Sequence, residues 1–340
     1  VKKIKILDAA CGSGTLLTAS FNSIDKLLRK FRYYYGLDLN FDDTERKIIE
    51  EGIYGIDALR YATQISAINL SLIAPSTISG TNTFTIYLGK IPNKGAWLGS
   101  LELLNPKENT IGLIAFIGDK IDGAVESTSI EGSEGRIWIP VNFDLIIMNP
   151  PFTRATGRGR QFEEQGVGKG LFGFIADENA RQDLLNKLDK IRAGAKNDLI
   201  SIIKSIKDLL PNDLHAILDN KEDFGSYLNV GQAGEGLLFL YLAYKYIKPN
   251  GAIAFVLPRN LLSGVSWFLV RALLASKFHL KYVIVSSDHK NGYNFSENTS
   301  LSEVLIVAKR VEGHSESEEV MFINLLRKPT TYLLSMMLAN

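Results

Sequence analysis

The sequence predicts an α/β fold in which a doubly wound, mostly parallel sheet is covered by helices on both faces. Short apolar runs with the length of buried strands recur along the chain, and several are followed by segments whose apolar residues have helical spacing. Such alternation is typical of parallel sheets with helical crossovers. At 340 residues, 46% of them apolar, the chain is long enough for one large or two modest cores.

Eight apolar runs are predicted to be strands, and five segments are predicted to be helices. The strands are expected at residues 4–7, 53–56, 84–88, 111–117, 145–148, 253–257, 282–285 and 304–308. The helices are expected at about residues 15–31, 58–72, 181–209, 235–247 and 261–276. The Leu, Ile and Phe stripes of these helices predict core positions.

Two regions interrupt this alternation and define the expected organisation. Residues 118–135 are rich in Gly, Ser and acidic residues, which predicts a surface loop or hairpin. A glycine-rich, partly basic stretch begins at residue 154 and leads into a mainly helical insertion. We therefore expect a first part of the core (1–153), the loop and insertion (154–230), a second part of the core (231–312) and a C-terminal tail (313–340). Because the chain begins without Met, almost inside a strand, we expect it to be part of a longer protein.

The composition argues against several classes of protein. The 38 basic and 37 acidic residues leave a net charge of +1, so no strong overall field attracts the chain to nucleic acid. The single cysteine, Cys11, excludes an internal disulfide framework and a multi-cysteine metal site, and it fits a reducing cytoplasm. No apolar run approaches the roughly 20 residues of a membrane helix. We predict a cytoplasmic protein. The four histidines have no metal-ligand spacing, so we predict no metal site; they are His215, His279, His289 and His314.

A glycine turn follows the first predicted strand. That strand ends in Asp8, and the letters AACGSGTLL lead from it into a helix. In this arrangement backbone N–H groups and a helix N-terminus meet a nucleotide-like ligand at the carboxyl edge of a sheet. Gly12 and Gly14 would let the ligand approach the backbone closely. A dinucleotide site would need a third glycine where Leu17 stands, which argues against an oxidoreductase.

The position of the acid before the glycines suits a ligand with a cationic end. S-adenosylmethionine carries an ammonium group at its amino-acid end, and Asp8 is placed to lie near it. We therefore predict that S-adenosylmethionine is the cofactor and that Ala10 and Ser13 of the same turn contact it.

A second acid follows the next predicted strand. Asp57 opens a helix with a face of small and apolar residues, and an acid at this place commonly binds the ribose hydroxyls of a nucleotide. Asp38 is a rival for the same role. The segment around Asp38 resembles an inserted connection more than the start of a core helix, so we favour Asp57.

A third strand, in FDLIIMNPPF, ends at Asn149. Proline donates no backbone hydrogen bond and restricts the residue before it, so the strand must end at Pro150 and Pro151. If the substrate is a planar amine, Asn149 Oδ1 and the Pro150 carbonyl can accept its two hydrogens. These contacts favour a tetrahedral nitrogen whose lone pair points at a methyl donor. Phe152 offers a ring on which a base can stack.

These motifs resemble a known family. DAACGSGTLL, GIDAL, NPPF and GAIAFVLPRNLLSG (251–264), in this order, look like the γ class of N6-adenine DNA methyltransferases, which includes catalytic parts of type I and type IIG restriction-modification systems. The resemblance runs from about residue 1 to 310, interrupted by 154–230. It implies a Rossmann-like methyltransferase fold and methyl transfer to a flipped adenine in DNA. The roles it implies are the methionine part of the cofactor for Asp8, Gly12 and Gly14, its ribose for Asp57, and the target base for Asn149, Pro150, Pro151 and Phe152.

The resemblance implies two further residues and several partners. Phe295 stands where the family places a second aromatic ring against the flipped base, with Tyr293 as the alternative. The family's acid near the end of the third strand has no clear match here, and Ser100 in LGSLELL is the residue in its place. No target-recognition region of usable length follows Lys328, so a specificity domain or subunit, and any nuclease, would lie outside this chain.

Several alternatives remain open at the level of sequence. The same Asn-Pro-Pro-aromatic turn serves methylation of RNA amines and of glutamine in proteins, and the chain could also be an inactive methyltransferase-like scaffold of a defence complex. The basic side chains after the catalytic strand either contact phosphates or belong to a solvated loop; they are Arg154, Arg158, Arg160 and Lys169. We expect Cys11 to be a small residue packed under the glycine turn and not a nucleophile.

Overall fold

The structure is a computed structural model in which the backbone is described for most of the chain. The described residues are 4–36, 40–91, 95–104, 123–128, 134–152, 172, 175–207, 227, 230–296, 301–312, 319–329, 331, 334–335 and 337. The structure describes only the backbone of residues 91, 123–128, 134–138 and 232.

The described residues form twelve strands. These are β1 (Ile6–Asp8), β2 (Ile53–Asp57), β3 (Asn82–Thr85), β4 (Leu88–Ile91), β5 (Gly95–Leu98), β6 (Gly123–Thr128), β7 (Glu134–Ile139), β8 (Phe143–Met148), β9 (Ile247–Pro258), β10 (Phe278–Ser286), β11 (Glu303–Arg310) and β12 (Met321–Leu325). Ten of them form one sheet, and β4 and β5 pair with each other as a separate antiparallel hairpin.

The order of the ten strands is β12-β10-β11-β9-β8-β1-β2-β3-β6-β7. The five central strands from β9 to β3 run parallel to one another. From β1 the chain adds β2 and β3 on one side, and it later adds β8 and β9 on the other side. The strand order therefore reverses between β1 and β8, and ligands of open α/β sheets bind at the carboxyl edge of such a switch point.

Six α-helices accompany the sheet within the described residues. They are α1 (Thr15–Tyr35), α2 (Phe41–Lys47), α3 (Arg60–Ile73), α4 (Glu178–Ser205), α5 (Gly236–Tyr246) and α6 (Phe268–Lys277). Shorter turns of 3-10 helix occur at Gly99–Leu104, Val230–Gln232, Arg259–Leu261 and Val265–Trp267, and a π-helical turn at Ile48–Gly52 precedes β2. None of the helices in the described part of the chain is long and apolar enough to cross a membrane.

The observed elements differ from the predicted ones in several places, and α2 (Phe41–Lys47) and β5 (Gly95–Leu98) were not predicted. The expected strand 84–88 is divided between β3 and β4. The expected helix 261–276 begins only at Phe268: extended backbone at Gly264 (ψ 135°) separates the 3-10 turn Arg259–Leu261 from a second 3-10 turn, Val265–Trp267, which leads directly into the helix. The parallel pairing of β12 with β10 was not expected at all. Residues 118–135 were expected to form a surface loop or hairpin, and the antiparallel pairing of β6 with β7 forms a hairpin that extends to Ile139. The expected strand 111–117 lies outside the described residues.

Helix α4, the described part of the predicted insertion, belongs to the main hydrophobic core. Six of its seven buried side chains join the same cluster as the central strands; they are Leu184, Leu188, Ile191, Ala195, Leu199 and Ile203. An ion pair reinforces this packing, because Lys187 Nζ lies 2.7 Å from Oε1 of Glu102, whose side chain is fully buried. Lys187 Nζ also donates to the Ala96 carbonyl at 2.8 Å. The helix and the β4–β5 hairpin are therefore joined by polar as well as apolar contacts.

Candidate active site

Three polar side chains meet at the carboxyl edge of adjacent parallel strands. Asp8 and Asp57 are the last residues of β1 and β2, and Asn149 directly follows β8. The register pairs Asp8 with Gly55 of β2, and the preceding residue, Leu7, with Ile146 of β8. Neighbouring strands lie about 4.8 Å apart, so one small molecule lying across the end of β1 could contact all three side chains.

The glycine turn after β1 is held by backbone hydrogen bonds. The Cys11 N–H donates to the Ile56 carbonyl at 3.0 Å, and the Gly14 N–H donates to the Cys11 carbonyl at 2.8 Å. Gly12 and Gly14 both have positive φ, 51° and 80°, which glycine adopts with least strain. Gly14 is also sterically required, since a Cβ there would lie 2.6 Å from Ser66 Oγ. Among the described residues, a Cβ on Gly12 would have no atom within 4 Å, so the space beside Gly12 is open in this part of the chain.

Asp57 connects the glycine turn to the second strand. Its Oδ2 accepts the Gly12 N–H at 2.9 Å, and its Oδ1 accepts the Leu59 N–H at 2.9 Å, at the start of α3. Each carboxylate oxygen keeps a lone pair that could accept a ribose hydroxyl. Its rival from the sequence, Asp38, lies outside the described residues.

Helix α3 supplies two contacts to the turn that sequence reasoning missed. Ser66 Oγ donates to the Gly12 carbonyl at 3.0 Å, and Asn69 Nδ2 donates to the Ser13 carbonyl at 2.9 Å. Their spacing of three residues places both on one face of the helix. A polar pair on the buried side of a predicted core helix was the signal available in the sequence.

Asp8 is a buried carboxyl group. Its Oδ1 accepts the Ala10 N–H at 3.0 Å, and its side chain is shielded from solvent. Burial raises the pKa of Asp8 to about 7; the Ala10 hydrogen bond opposes this shift, and the nearby charge of Asp57 adds to it. A buried acid at the end of a strand, close to a second acid, would be stabilised in its charged form by a cationic ligand.

Ser100 lies beside the first turn. It stands in the 3-10 helix Gly99–Leu104, and its buried hydroxyl donates to the Ala9 carbonyl at 2.5 Å. The last residue of β3 is Thr85, whose hydroxyl lies 2.7 Å from Thr63 Oγ1. The structure thus brings Ser100 next to Asp8, and the hydroxyl is used to support the backbone there.

Asn149 is exposed at the end of β8, and its side chain meets a residue that is distant in sequence. Asn149 Nδ2 lies 2.9 Å from Ser296 Oγ, and Asn149 Oδ1 lies 3.2 Å from the same oxygen. Of the residues that follow, Pro150 is buried, Pro151 is exposed and Phe152 is half-buried. Ser296 belongs to the connection between β10 and β11, which therefore reaches the end of β8 across the end of β9.

The same connection carries the two aromatic candidates. The backbone N–H of Phe295 donates to Glu303 Oε2 at 2.5 Å, which fixes Phe295 next to the serine that contacts Asn149. Tyr293 is more exposed, and its hydroxyl is paired with His289 Nδ1 at 2.8 Å. Phe295 is therefore the aromatic residue that is held next to Ser296, and its role as the second ring stays a prediction.

Asp288 fastens this connection to the chain after β12. Its carboxylate accepts the backbone N–H groups of Lys290 and Asn291 from the connection, and that of Lys328 at 2.8 Å. These hydrogen bonds hold the pKa of Asp288 well below its usual range. Lys328 Nζ also donates to the Asn294 carbonyl at 2.7 Å, two residues before Ser296.

Three further sequence predictions concern Cys11, metal ligands and the basic loop after β8. Cys11 is buried under the glycine turn, and burial raises the pKa of its thiol, so it stays protonated. No group of three or more His, Cys, Asp and Glu residues in the described part of the chain is arranged to hold a metal ion. The basic side chains of the loop after β8 lie outside the described residues; they are Arg154, Arg158, Arg160 and Lys169.

Comparison with known proteins found likenesses in structure only. No protein-family model and no curated protein matches the sequence. The ATP-dependent type ISP restriction-modification enzyme LlaBIII bound to DNA matches with a TM-score of 0.52 and 12% identity, over 95% of this chain and 18% of that chain. A nuclease-deletion mutant of the type ISP enzyme LlaGI in complex with a DNA substrate mimic matches with a TM-score of 0.52 and 13% identity, over 95% and 22%. A putative class I S-adenosylmethionine-dependent methyltransferase (lmo1582) from Listeria monocytogenes has a TM-score of 0.43 and 11% identity, over 100% and 63%.

The chain has an α/β, Rossmann-like methyltransferase fold, as the sequence predicted. At 12% and 13% identity, the likeness to the two restriction-modification enzymes shows the fold alone. The chain spans 18% and 22% of the lengths of those enzymes.

Proposed function

We propose that this chain is the catalytic part of an enzyme that transfers a methyl group from S-adenosylmethionine to the 6-amino group of adenine in DNA, within a restriction-modification or defence system. One observation carries the proposal. The Asn-Pro-Pro-Phe turn that begins at Asn149 follows β8, directly beside the strand that carries Asp8 and the glycine turn, at the switch point of a methyltransferase fold.

The residues around the end of β1 fit the cofactor. Asp8, buried and with a raised pKa, suits a cationic group, and the open space beside Gly12 admits a ligand against the backbone. Asp8, Gly12 and Gly14 would hold the methionine part, and Asp57 would accept from the ribose hydroxyls. When bound, S-adenosylmethionine supplies an electrophilic methyl group on a sulfonium.

The residues after β8 fit a planar amine. The lone pair of such an amine is delocalised into its ring, which makes it a poor nucleophile. With Asn149 Oδ1 and the Pro150 carbonyl accepting its two hydrogens, the nitrogen becomes tetrahedral and its lone pair is directed at the methyl group. Phe152 and Phe295 would stack on the flipped base and offset part of the few kcal/mol that unstacking and unpairing cost.

Two observations support DNA as the substrate and a division of labour with other parts. Both restriction-modification enzymes with the same fold are described in complex with DNA or a DNA mimic. The net charge of +1 gives this chain no overall attraction for a polyanion. We infer that a specificity domain or subunit outside the chain supplies most of the DNA contacts, that any nuclease also lies outside it, and that the enzyme works in the cytoplasm.

The test is methyl transfer from tritiated S-adenosylmethionine by the full-length protein. Unmethylated DNA, RNA and a protein mixture are offered in parallel, and Asn149→Ala is the control. Label in DNA adenine that is absent with Asn149→Ala is the expected result. Label in RNA or in protein glutamine would keep the mechanism and overturn the substrate. Cofactor binding without transfer to any of the three would indicate an inactive scaffold.

A further inference from the structure

We propose that Ser296 is a positioning residue that orients the side-chain amide of Asn149, and that the buried carboxylate of Glu303 holds Ser296 in place. The inference rests on the proposed function, because it concerns how Asn149 presents an acceptor to an amine.

The need for such a residue follows from the chemistry of an amide. Asn149 must present Oδ1, not Nδ2, to the amine hydrogens, since Nδ2 is a donor and would repel them. Rotation of the side chain about its last torsion exchanges the two atoms at little cost when nothing holds them. Asn149 is exposed, and both polar contacts that its amide makes within the described residues are to the hydroxyl of Ser296.

The two distances of the contact favour the orientation in which Nδ2 faces Ser296. Ser296 Oγ is closer to Nδ2, at 2.9 Å, than to Oδ1, at 3.2 Å. When the hydroxyl accepts a hydrogen bond from Nδ2, both lone pairs of Oδ1 are available to the substrate. A hydroxyl can also rotate and donate to Oδ1, so Ser296 satisfies Oδ1 until an amine takes its place.

Ser296 is itself fixed by the sheet. The backbone N–H groups of Phe295 and Ser296 donate to Glu303 Oε2 at 2.5 and 2.8 Å. Glu303 is fully buried and is the first residue of β11, where it pairs with Pro258 of β9. Hydrogen bonds to a carboxylate are stronger than hydrogen bonds between neutral groups. In a buried position they are also costly to lose, because a buried charge needs partners. The connection between β10 and β11 is therefore held at Ser296 by β11, which is the second strand from β8 in the sheet.

Two variants test the role of Ser296. In single-turnover methyl transfer, Ser296→Ala is expected to lower the rate about tenfold, the usual effect of one hydrogen bond. The dissociation constant for S-adenosylhomocysteine is expected to stay unchanged, because Asp8 and the glycine turn are untouched. Ser296→Thr keeps the hydroxyl and is expected to recover the rate to within about threefold.

A double-mutant comparison separates positioning from a general structural role. The Asn149→Asp variant carries a carboxylate with two acceptor oxygens and no donor at this position, so the orientation of that side chain does not matter. In that background Ser296→Ala is expected to change the residual rate less than about twofold. An equal loss in both backgrounds would overturn the inference, and so would failure of Ser296→Thr to recover activity.

A structural measurement decides the inference even if the protein transfers no methyl group, an outcome that would overturn the proposed function alone. Neutron crystallography distinguishes Nδ2 from Oδ1. We expect a single Asn149 orientation in the wild type, with Nδ2 towards Ser296, and a mixture of orientations in Ser296→Ala. We also expect Glu303→Ala to lose the Ser296–Asn149 contact. A single unchanged orientation in Ser296→Ala, or an intact contact in Glu303→Ala, would refute the corresponding half of the proposal.

Discussion

The backbone N–H of Gly12 donates a 2.9 Å hydrogen bond to Asp57 Oδ2. This bond joins the turn after β1 to the end of β2, so the residues proposed for the methionine part of the cofactor and for its ribose form one structural unit. The side-chain amide of Asn149, on the other side of β1, bonds to Ser296 and not to this unit within the described residues. The two halves of the candidate site can therefore be tested separately.

The first prediction concerns that separation. Asp57→Ala removes the acceptor for two backbone N–H groups and for the ribose, so the dissociation constant for S-adenosylhomocysteine is expected to rise at least about tenfold. Asn149→Ala is expected to leave the constant within about twofold and to abolish transfer. Isothermal titration calorimetry of both variants measures the effect. Comparable losses of affinity in the two variants would contradict the division of roles.

The second prediction concerns the two glycines. Gly14→Ala places a Cβ 2.6 Å from Ser66 Oγ at a φ of +80°, and it is expected to lower the free energy of unfolding by about 2–4 kcal/mol. The Cβ of Gly12→Ala has no neighbour within 4 Å in the described part of the chain, and the substitution is expected to cost about 1–2 kcal/mol from its positive φ alone. Its Cβ enters the proposed cofactor space, so it should still weaken binding about tenfold or more. Urea unfolding and calorimetry together test this order, and equal destabilisation by both would contradict it.

The third prediction concerns stability and pH. The pKa of Asp8 is raised from 3.8 to about 7, so the folded protein binds this proton more tightly than the unfolded chain. The resulting stabilisation is complete below about pH 4 and is lost as the pH rises to about 7. We compare the free energy of unfolding of Asp8→Asn with that of the wild type at the same pH. The difference, variant minus wild type, is therefore expected to be more positive at pH 8 than at pH 5. Urea unfolding at the two pH values measures the difference; a difference independent of pH would rule out this role.

The fourth prediction concerns cofactor affinity and pH. The charged form of Asp8 attracts an ammonium group, and this form becomes dominant only above about pH 7. The affinity for S-adenosylmethionine is expected to increase between pH 6 and pH 7.5 in the wild type and to change less in Asp8→Asn. Titration of the ligand itself is common to both proteins, so the comparison isolates Asp8. Parallel pH profiles would show that the carboxylate does not meet the ammonium.

The fifth prediction concerns helix α4. Lys187 pairs with the fully buried Glu102, and Lys187→Ala would remove this contact between the two side chains, so a loss of about 3 kcal/mol in the free energy of unfolding is expected. Lys90→Ala is the matched control, since Lys90 joins Asp183 of the same helix through an exposed pair of the same length, 2.7 Å, and should lower the free energy of unfolding much less. Urea unfolding distinguishes the two, and similar small losses would mean that the buried pair is unimportant.

The sequence predicted the central strands and the polar residues at their ends because both are local patterns. An apolar run followed by an acid and glycines, or by Asn-Pro-Pro, is readable within about ten residues. The structure places Asp8, Asp57 and Asn149 at one edge for the reason the sequence suggested, since carboxyl ends of parallel strands meet there.

The contacts that support these residues were not predictable in the same way. Ser296 meets Asn149 across 147 positions of sequence, and nothing in YNFSENTS distinguishes it from its polar neighbours. Strand β12 was missed because Met321 and Phe322 are largely exposed, so apolar residues there do not mark a buried face. Helix α4 was predicted to begin at residue 181 but begins at Glu178. The signal for this start is Asp177, which caps the helix by accepting the Asn179 N–H.

The hydrogen bond from the Lys328 N–H to the Asp288 carboxylate limits where the chain can be shortened. A shortened version ending at residue 312, the boundary suggested by composition, would remove β12 from the edge of the sheet and take away the Lys328 N–H that Asp288 accepts. It would also remove the hydrogen bond from Lys328 Nζ to the carbonyl of Asn294, two residues before the serine that touches Asn149. Loss of activity in such a fragment would then report a loosened loop rather than a missing catalytic group, so fragments meant for enzymology should retain at least residue 329.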